Sequence, residues 1–122
     1  MDFLIGETVK EVRLGPSVRI VFAEGELVEP ALYLDLGRYT IFTAAGEPHE
    51  QDESRPTDLG QSLALVGKRV AATSTTAAVL ELMFSDGSKL CCEPSTEYEA
   101  WQVVGGDPTL VWATTEGDVD AA

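Results

Sequence analysis

The chain has few of the residues that enzymes and metal sites use most. Its 122 residues include one histidine, His49, and two cysteines, Cys91 and Cys92, which are neighbours in sequence. A zinc site usually needs several nitrogen or sulfur ligands, and a Ser-His-Asp or Cys-His hydrolase needs a histidine held beside its nucleophile. His49 lies in an acidic segment without the regular oxygen spacing of a calcium loop. We therefore expect no metal and no cofactor, and the residues favour a non-enzymatic protein while leaving an enzyme open.

Basic residues and long apolar runs are also scarce. Eight lysines and arginines stand against 21 acidic residues, so the net charge is −13 at pH 7. Such a surface repels phosphate, which disfavours nucleic acid and favours a basic protein as the partner. No apolar run approaches the ~20 residues that cross a bilayer, the N-terminus lacks a secretory signal, and adjacent cysteines make a strained disulfide. We expect a cytoplasmic protein that binds no membrane.

What the chain does contain is an internal repeat. Gly6-Glu7-Thr8-Val9 recurs as Gly67-Lys68-Arg69-Val70, Phe22 recurs as Phe84, and Pro30 recurs as Pro94, at a nearly constant offset. The repeat divides one domain, residues 1–114, into two halves at about 5–43 and 63–112. An acidic loop, 44–58, joins the halves, and a frayed acidic tail, 115–122, follows them.

Apolar and polar residues alternate in both halves, as in half-buried strands. Val18, Ile20 and Phe22 share one face, as do Leu80, Leu82 and Phe84, and each run ends in a glycine turn, Glu24-Gly25 or Asp86-Gly87. Further strands are predicted at 27–29, 39–42, 90–92, 100–104 and 110–112. A short helix is predicted after Thr57 or Asp58, with Leu59, Leu63 and Val66 on one face and Gly67 at its end. The predicted fold is mainly β: two pseudo-symmetric antiparallel meanders that form a small sandwich or a partly closed barrel, with one short helix between them.

The candidate binding residues lie near the C-terminus. Alternation places Glu97 and Glu99 on one strand face on either side of Tyr98, although general acid–base catalysis would need the two carboxyls in unlike environments. Trp101 is expected to fill the core, whereas Trp112 suits a core or an interface equally. One of the two cysteine sulfurs should point into the core and the other outward. We therefore take Glu97, Tyr98, Glu99 and Trp112 as candidate partner-binding residues.

Three motifs carry a resemblance: Leu65-Val66-Gly67-x-x-Val70, Phe84-Ser85-Asp86-Gly87-Ser88-Lys89-Leu90 and Tyr98-Glu99-Ala100-Trp101. With them the chain resembles an uncharacterised family of small acidic proteins from high-GC Gram-positive bacteria, mainly over residues 63–112. The resemblance implies a β-rich fold and no particular activity. Two of the motifs are also similar to patterns in immunity proteins, which implies a bacterial toxin as the partner.

Two functional hypotheses follow. The first is a non-enzymatic interaction domain that docks on a basic protein, such as an immunity protein on its toxin. The alternative is a small-molecule-binding or hydrolytic barrel with its ligand between the halves and Glu97 or Glu99 as the base. A space between the halves filled by Phe22, Leu82, Phe84 and Trp101 would argue against this alternative. Self-association through an uncovered edge strand is a third possibility.

Overall fold

Alternating apolar residues and glycine turns produce short antiparallel strands along the described part of the chain. The computed structural model describes residues 1–23, 25 and 30–122. In this part of the chain the strands are β1 (Glu11–Leu14), β2 (Val18–Ala23), β3 (Leu32–Leu36), β4 (Arg38–Phe42), β5 (Pro48–Asp52), β6 (Val70–Ser74), β7 (Leu80–Phe84), β8 (Lys89–Cys92), β9 (Trp101–Val104), β10 (Leu110–Ala113) and β11 (Val119–Ala121). The helix α1 (Gly60–Leu63) lies between β5 and β6.

The strands form two open sheets. One sheet has six strands in the order β1-β2-β3-β9-β10-β11, and the other has five in the order β5-β4-β8-β7-β6. All described pairings are antiparallel, and neither order closes on itself. The predicted mainly β sandwich with one short helix is therefore confirmed, and the barrel alternative is not.

The two halves of the chain exchange strands. In the six-stranded sheet, β1, β2 and β3 of the first half lie beside β9 and β10 of the second half, with β11 of the tail at the edge. In the five-stranded sheet, β6, β7 and β8 of the second half lie beside β4 of the first half, with β5 of the connecting segment at the edge. The pairing of β3 with β9 and the pairing of β8 with β4 have equivalent registers, because Leu34 lies opposite Val103 and Leu90 lies opposite Ile41. The sequence predicts two meanders laid face to face; instead, both sheets are built from both halves.

The starts of the two repeats lie against each other. Thr8 pairs with Arg69 in an isolated antiparallel bridge. The Gly6 amide donates to the Val70 carbonyl at 2.8 Å, and the Gly67 amide donates to the Val9 carbonyl at the same distance. An approximate twofold rotation that superimposes one segment on the other also superimposes one of these hydrogen bonds on the other, which supports the predicted repeat.

One hydrophobic core lies between the sheets. It contains the inward-facing residues of the strands, among them Phe22, Leu82, Phe84 and Trp101, all at most 3% exposed. The indole Nε1 of Trp101 donates to the Ala78 carbonyl at 2.9 Å. The prediction that Trp101 fills the core is confirmed. Because these four side chains occupy the space between the sheets, they argue against a ligand there.

Several local predictions differ from the structure. The segment 44–58, predicted as a loop, contains β5, whose inward residue Gln51 is polar and is satisfied by hydrogen bonds instead of apolar contacts. The tail predicted to fray contains β11, which pairs with β10 through backbone hydrogen bonds and needs no apolar face. The predicted strand at 27–29 lies outside the described residues, and β2 pairs with β3.

The helix is shorter than its sequence pattern predicts. It spans one turn, with Leu59 at its N-cap and without a side-chain cap from Thr57 or Asp58. Leu59 and Leu65 are buried, whereas Leu63 and Val66 are exposed. The expected apolar face is wrong because helical periodicity holds only where the helix continues. No helix in the described part of the chain is both long enough and apolar enough to cross a membrane.

A buried polar network fastens the helix to the five-stranded sheet. The Ser62 hydroxyl donates to Gln51 Oε1 at 2.7 Å and accepts a hydrogen bond from the Tyr39 hydroxyl. Gln51 Nε2 in turn donates to the backbone carbonyls of Glu50 and Asp58. Tyr39, Gln51 and Ser62 are all buried, so the loss of any one of them would leave a buried polar group without a partner.

Burial of two titratable groups, Tyr39 and Cys92, makes the stability of the protein fall at alkaline pH. Removal of water from the phenolate raises the pKa of Tyr39 from 10.0 to about 12, and removal of water from the thiolate raises the pKa of Cys92 from 9.0 to about 12. The unfolded chain therefore releases these protons at lower pH than the folded chain does. The two groups contribute their full stability below about pH 9, and that contribution is lost as pH rises to about 12.

We expect urea unfolding to show a decline in the free energy of unfolding across this pH interval. The variants Tyr39→Phe and Cys92→Ala should each be less stable near neutral pH but should decline less steeply with pH. A slope that is unchanged in both variants would contradict this assignment.

Candidate functional site

The loop that carries three of the candidate binding residues is much longer than the equivalent connection in the first half. Residues 93–100 connect β8 in one sheet to β9 in the other, whereas Gly37 alone makes the equivalent connection from β3 to β4. Glu97, Tyr98 and Glu99 lie in this loop and are exposed. The prediction that the two carboxylates share one strand face is wrong, because the segment is not a strand.

Tyr98 separates two grooves. Tyr98, 43% exposed, forms part of the wall of both, with Glu97 lining one groove and Glu99 lining the other. The ring lies directly against Gly37, where a β-carbon would come within 2.8 Å of Tyr98 Cε2. A larger residue at position 37 would make the ring shift, so glycine at the corner between β3 and β4 allows Tyr98 to lie this close.

The larger groove encloses about 600 Å³ and is mainly acidic at its rim. Glu50, Glu93 and Glu97 line it together with Phe42 and Tyr98. Among the described residues, the one basic side chain in its lining is that of Arg38, which donates to Asp52 at 3.0 Å.

Cys91 also lines the larger groove. Burial, followed by the nearby carboxylate of Glu81, raises the pKa of its thiol. A protonated thiol is a poor nucleophile at neutral pH, which argues against a cysteine-based reaction here. The expected split between the two cysteines is confirmed, since Cys92 is buried and Cys91 is partly exposed.

The acidic groove continues onto the outer face of the five-stranded sheet. The strand register places Thr40 beside Glu50 and Cys91, and Cys91 beside Glu81. The neighbouring row contains Phe42, Lys89 and Met83, with Met83 39% exposed. Lys89 Nζ lies 4.9 Å from the centre of the Phe42 ring and 3.7 Å from Glu81 Oε1.

The smaller groove encloses about 260 Å³ at one end of the sandwich. The β1–β2 turn, Gly37, the end of β5 and the 93–100 loop meet there. Its lining includes Asp35, Glu53 and Glu99 along with Tyr98. Asp35 is bound by Arg19 at 2.8 and 3.1 Å and by Gln102 at 3.3 Å. Glu53 Oε2 is buried and has no hydrogen-bond partner within the described residues.

His49 lies in a third groove, of about 720 Å³, beside the edge strand β5. Its lining alternates charges, with Arg38 and Arg55 among Glu50, Asp52 and Asp58. Hydrogen bonds from Ser54, reinforced by Arg38, lower the pKa of Asp52 to about 2. No group of three or more metal-ligating side chains comes together in residues 1–23, 25 and 30–122.

Trp112 lies apart from the other candidates. It is partly buried on β10, where it pairs with Gln102 and Asp120 on the outer side of the six-stranded sheet. It lines none of the three grooves described above. The structure therefore brings Glu97, Tyr98 and Glu99 together and leaves Trp112 outside their site.

Sequence reasoning missed Gly37, Glu50 and Glu53. Gly37 follows the alternating run Leu32, Leu34, Leu36, which could have signalled a strand ending in a tight corner. Glu50 and Glu53 carry no local signal, because only strand pairing brings them beside the 93–100 loop.

This acidic, β-rich chain matches one known family over almost its full length. The chain belongs to DUF6188, a family of unknown function, whose model matches residues 2–122. No curated protein and no solved structure matches the chain. Membership of DUF6188 confirms an uncharacterised family, while the similarity to immunity proteins stays a hypothesis. The function must therefore be inferred from the geometry of the surface.

Proposed function

We propose that this chain is a non-enzymatic protein-interaction domain that binds a basic protein partner. Its binding surface, the Tyr98 face, consists of Phe42, Glu50, Met83, Glu93, Glu97 and Tyr98. The observation that carries the proposal is the groove in which three exposed carboxylates lie with Phe42 and Tyr98. The exposed Met83 lies on the same sheet face, separated from Phe42 by Lys89, whose charge is paired with Glu81.

This combination is typical of a protein-binding surface. Aromatic residues and methionine are enriched at the cores of interfaces, where they supply most of the binding energy. Carboxylates at the rim attract a partner of opposite charge and accelerate association. The net charge of −13 extends this attraction over the whole molecule.

Catalysis fits the same residues less well. Glu97 and Glu99 line different grooves, so they do not form a carboxylate pair across one substrate. The filled core likewise disfavours the alternative of a ligand between the halves. Among basic partners, a toxin with a basic active cleft suits the Tyr98 face, and the similarity to immunity motifs supports that choice.

Charge reversal on the Tyr98 face tests the proposal. The double variant Glu93→Lys/Glu97→Lys should lose the basic protein that the wild type captures from its native cell extract at low salt. A matched control, Asp2→Lys/Glu47→Lys, makes the same charge change at exposed positions elsewhere and should retain that protein. Captured proteins are identified by mass spectrometry. Equal capture by both variants, or capture of acidic proteins alone, would refute the Tyr98 face as the binding surface.

A further inference from the structure

Among the four edge strands of the two sheets, β6 has the least protected sequence. An edge strand presents backbone amides and carbonyls that can pair with another chain, and folded proteins protect such edges with charges, proline or an overlying segment. In the described part of the chain the edge strands are β1, β11, β5 and β6. The first three each contain at least one acidic residue, whereas β6 has neither a charged residue nor a proline. The edge of β6 therefore depends on an overlying segment.

Residues 1–7 form that segment, which we call the cover. The 3₁₀ turn Asp2–Leu4 lies against β6, and the Thr73 hydroxyl donates to the Met1 carbonyl at 3.4 Å. The end of the cover pairs through backbone hydrogen bonds with the start of β6. Leu4 is fully buried in the core, and the turn has no side-chain cap among the described residues. The turn over the strand is therefore held mainly by apolar contacts.

The corresponding segment of the second half is fastened more firmly. The repeat relates Leu4 to Leu65, and the chain just before Leu65, in α1, lies against the edge strand β1. The buried hydrogen bonds of Ser62 with Gln51 and Tyr39 hold α1 in place. In the described part of the chain, the turn of the cover has only the long hydroxyl bond to β6. Of the two covered edges, β6 is the one that opens more easily.

Beneath the cover, Thr73 directs its backbone outward. The Phe84 amide in β7 donates to the Ser88 carbonyl at 2.9 Å, on the side of β8. Because backbone groups alternate in direction along a strand, Glu81 and Met83 direct theirs toward β6. Their partners lie on either side of Thr73, whose own amide and carbonyl therefore face away from the sheet. Neither group has a backbone partner among the described residues, so one pair of hydrogen bonds is available to another strand.

A second copy of β6 matches this edge. In an antiparallel pair centred on Thr73, each Thr73 amide donates to the carbonyl of the other Thr73, and Ala72 lies opposite Ser74. No charges meet in this pair, and paired threonines stabilise such ladders. By contrast, β5 or β11 paired about its middle residue would place Glu50 or Asp120 opposite its own copy, and like charges in that position destabilise a pair. Charge therefore favours β6 over β5 and β11 as an interface between two molecules of this chain.

We propose that the cover keeps the chain monomeric and that β6 pairs with β6 of a second copy when the cover is displaced. The twofold axis of such a pair is perpendicular to the strands and to the sheet, so the two five-stranded sheets become one continuous sheet. Both Tyr98 faces then lie on the same side of that sheet, and the dimer presents two equivalent binding surfaces at once. This inference goes beyond the proposed function and does not depend on what the Tyr98 face binds.

Two variants loosen the cover without altering β6. Phe3→Ala removes a partly buried ring that packs on the core, and Gly106→Ala introduces a β-carbon that would overlap the same ring and push it out. Phe3→Ala should raise the fraction of molecules with an open cover by about tenfold. Because both copies must open, the dissociation constant of the dimer should then fall by about a hundredfold. Sedimentation velocity over a dilution series measures this constant, and circular dichroism shows that each variant is folded.

The salt dependence separates this association from the binding of a basic protein. Two molecules of net charge −13 repel each other, and added salt screens the repulsion, so dimerisation should strengthen as salt is raised. Capture of a basic partner by the Tyr98 face should weaken over the same range. Loss of capture in Glu93→Lys/Glu97→Lys therefore tests the proposed function alone, and the cover variants test β6 alone.

A charge on β6 tests the interface itself. Thr73→Lys, added to Phe3→Ala, places two lysines opposite each other and should restore the monomer. Thr115→Lys makes the same substitution at an exposed position in the β10–β11 turn of the other sheet and should leave the dimer intact. Folded cover variants that stay monomeric at high salt would overturn the proposal. So would a dimer that the two lysine substitutions affect equally, or a wild type that is already dimeric.

Discussion

Gly105→Ala is expected to lower the free energy of unfolding by about 3 kcal/mol or more, a large part of the about 5–15 kcal/mol by which a folded domain is stable. Gly105 follows β9 with a φ of +100°, which L residues avoid. A β-carbon there would overlap the Ala31 carbonyl oxygen and would lie 3.1 Å from Leu32 Cα. Because both contacts are backbone atoms beside β3, the chain cannot relieve the clash without breaking the pairing of β3 with β9.

A matched glycine separates the clash from the strain of positive φ. Gly117, in the β10–β11 turn, has a φ of +85°, and a β-carbon at this position would have no described atom within 4 Å. Gly117→Ala should therefore cost only the conformational penalty, about 1–2 kcal/mol. Thermal and urea unfolding of the two variants measure the difference. If both variants lose the same free energy of unfolding, the overlap with the Ala31 carbonyl does not contribute to the loss at Gly105.

Trp101→Ala is the second substitution with a large expected effect. The side chain is 1% exposed and its Nε1 donates to the Ala78 carbonyl. Its loss removes the largest side chain of the core and leaves a cavity, and it also leaves a buried carbonyl without its donor. We expect a loss of about 3–5 kcal/mol in the free energy of unfolding.

Trp112→Ala is the natural comparison, since the chain has one other tryptophan. Trp112 is partly exposed on the outer side of the six-stranded sheet, and its truncation should cost about 1–2 kcal/mol. Circular dichroism should follow both unfolding transitions, because each variant loses one of two fluorophores. A larger loss from Trp112→Ala would place the main aromatic anchor on the outer face.

Much of the fold can be read from local pattern. Alternation around Ile20 and Leu82 predicts β2 and β7, and Asp86-Gly87 predicts the β7–β8 hairpin, as the structure shows. Alternation specifies which face of a strand is buried but says nothing about which strand lies beside it. The exchange of strands between the halves therefore could not be predicted. β5 and β11 escaped prediction because one buries a hydrogen-bonded glutamine and the other buries almost nothing.

The site was predictable only in part. Glu97, Tyr98 and Glu99 could be chosen from residue type, and they do lie together on the surface. Their loop conformation, and the grooves on either side of Tyr98, depend on the corner at Gly37 and on the end of β5. Those neighbours are distant in sequence, so no local pattern could reveal the unpartnered oxygen of Glu53.

The exchange of strands has a consequence for the chain's integrity. A fragment that stops after β5 would hold β1, β2 and β3 without the neighbours β9 and β10, and would leave β4 and β5 with no sheet to join. The complementary fragment would have the reverse deficit. Each fragment of the cleaved protein would therefore lack the strands that the other fragment holds. A half-length chain could complete its sheets only by exchanging strands with a second molecule.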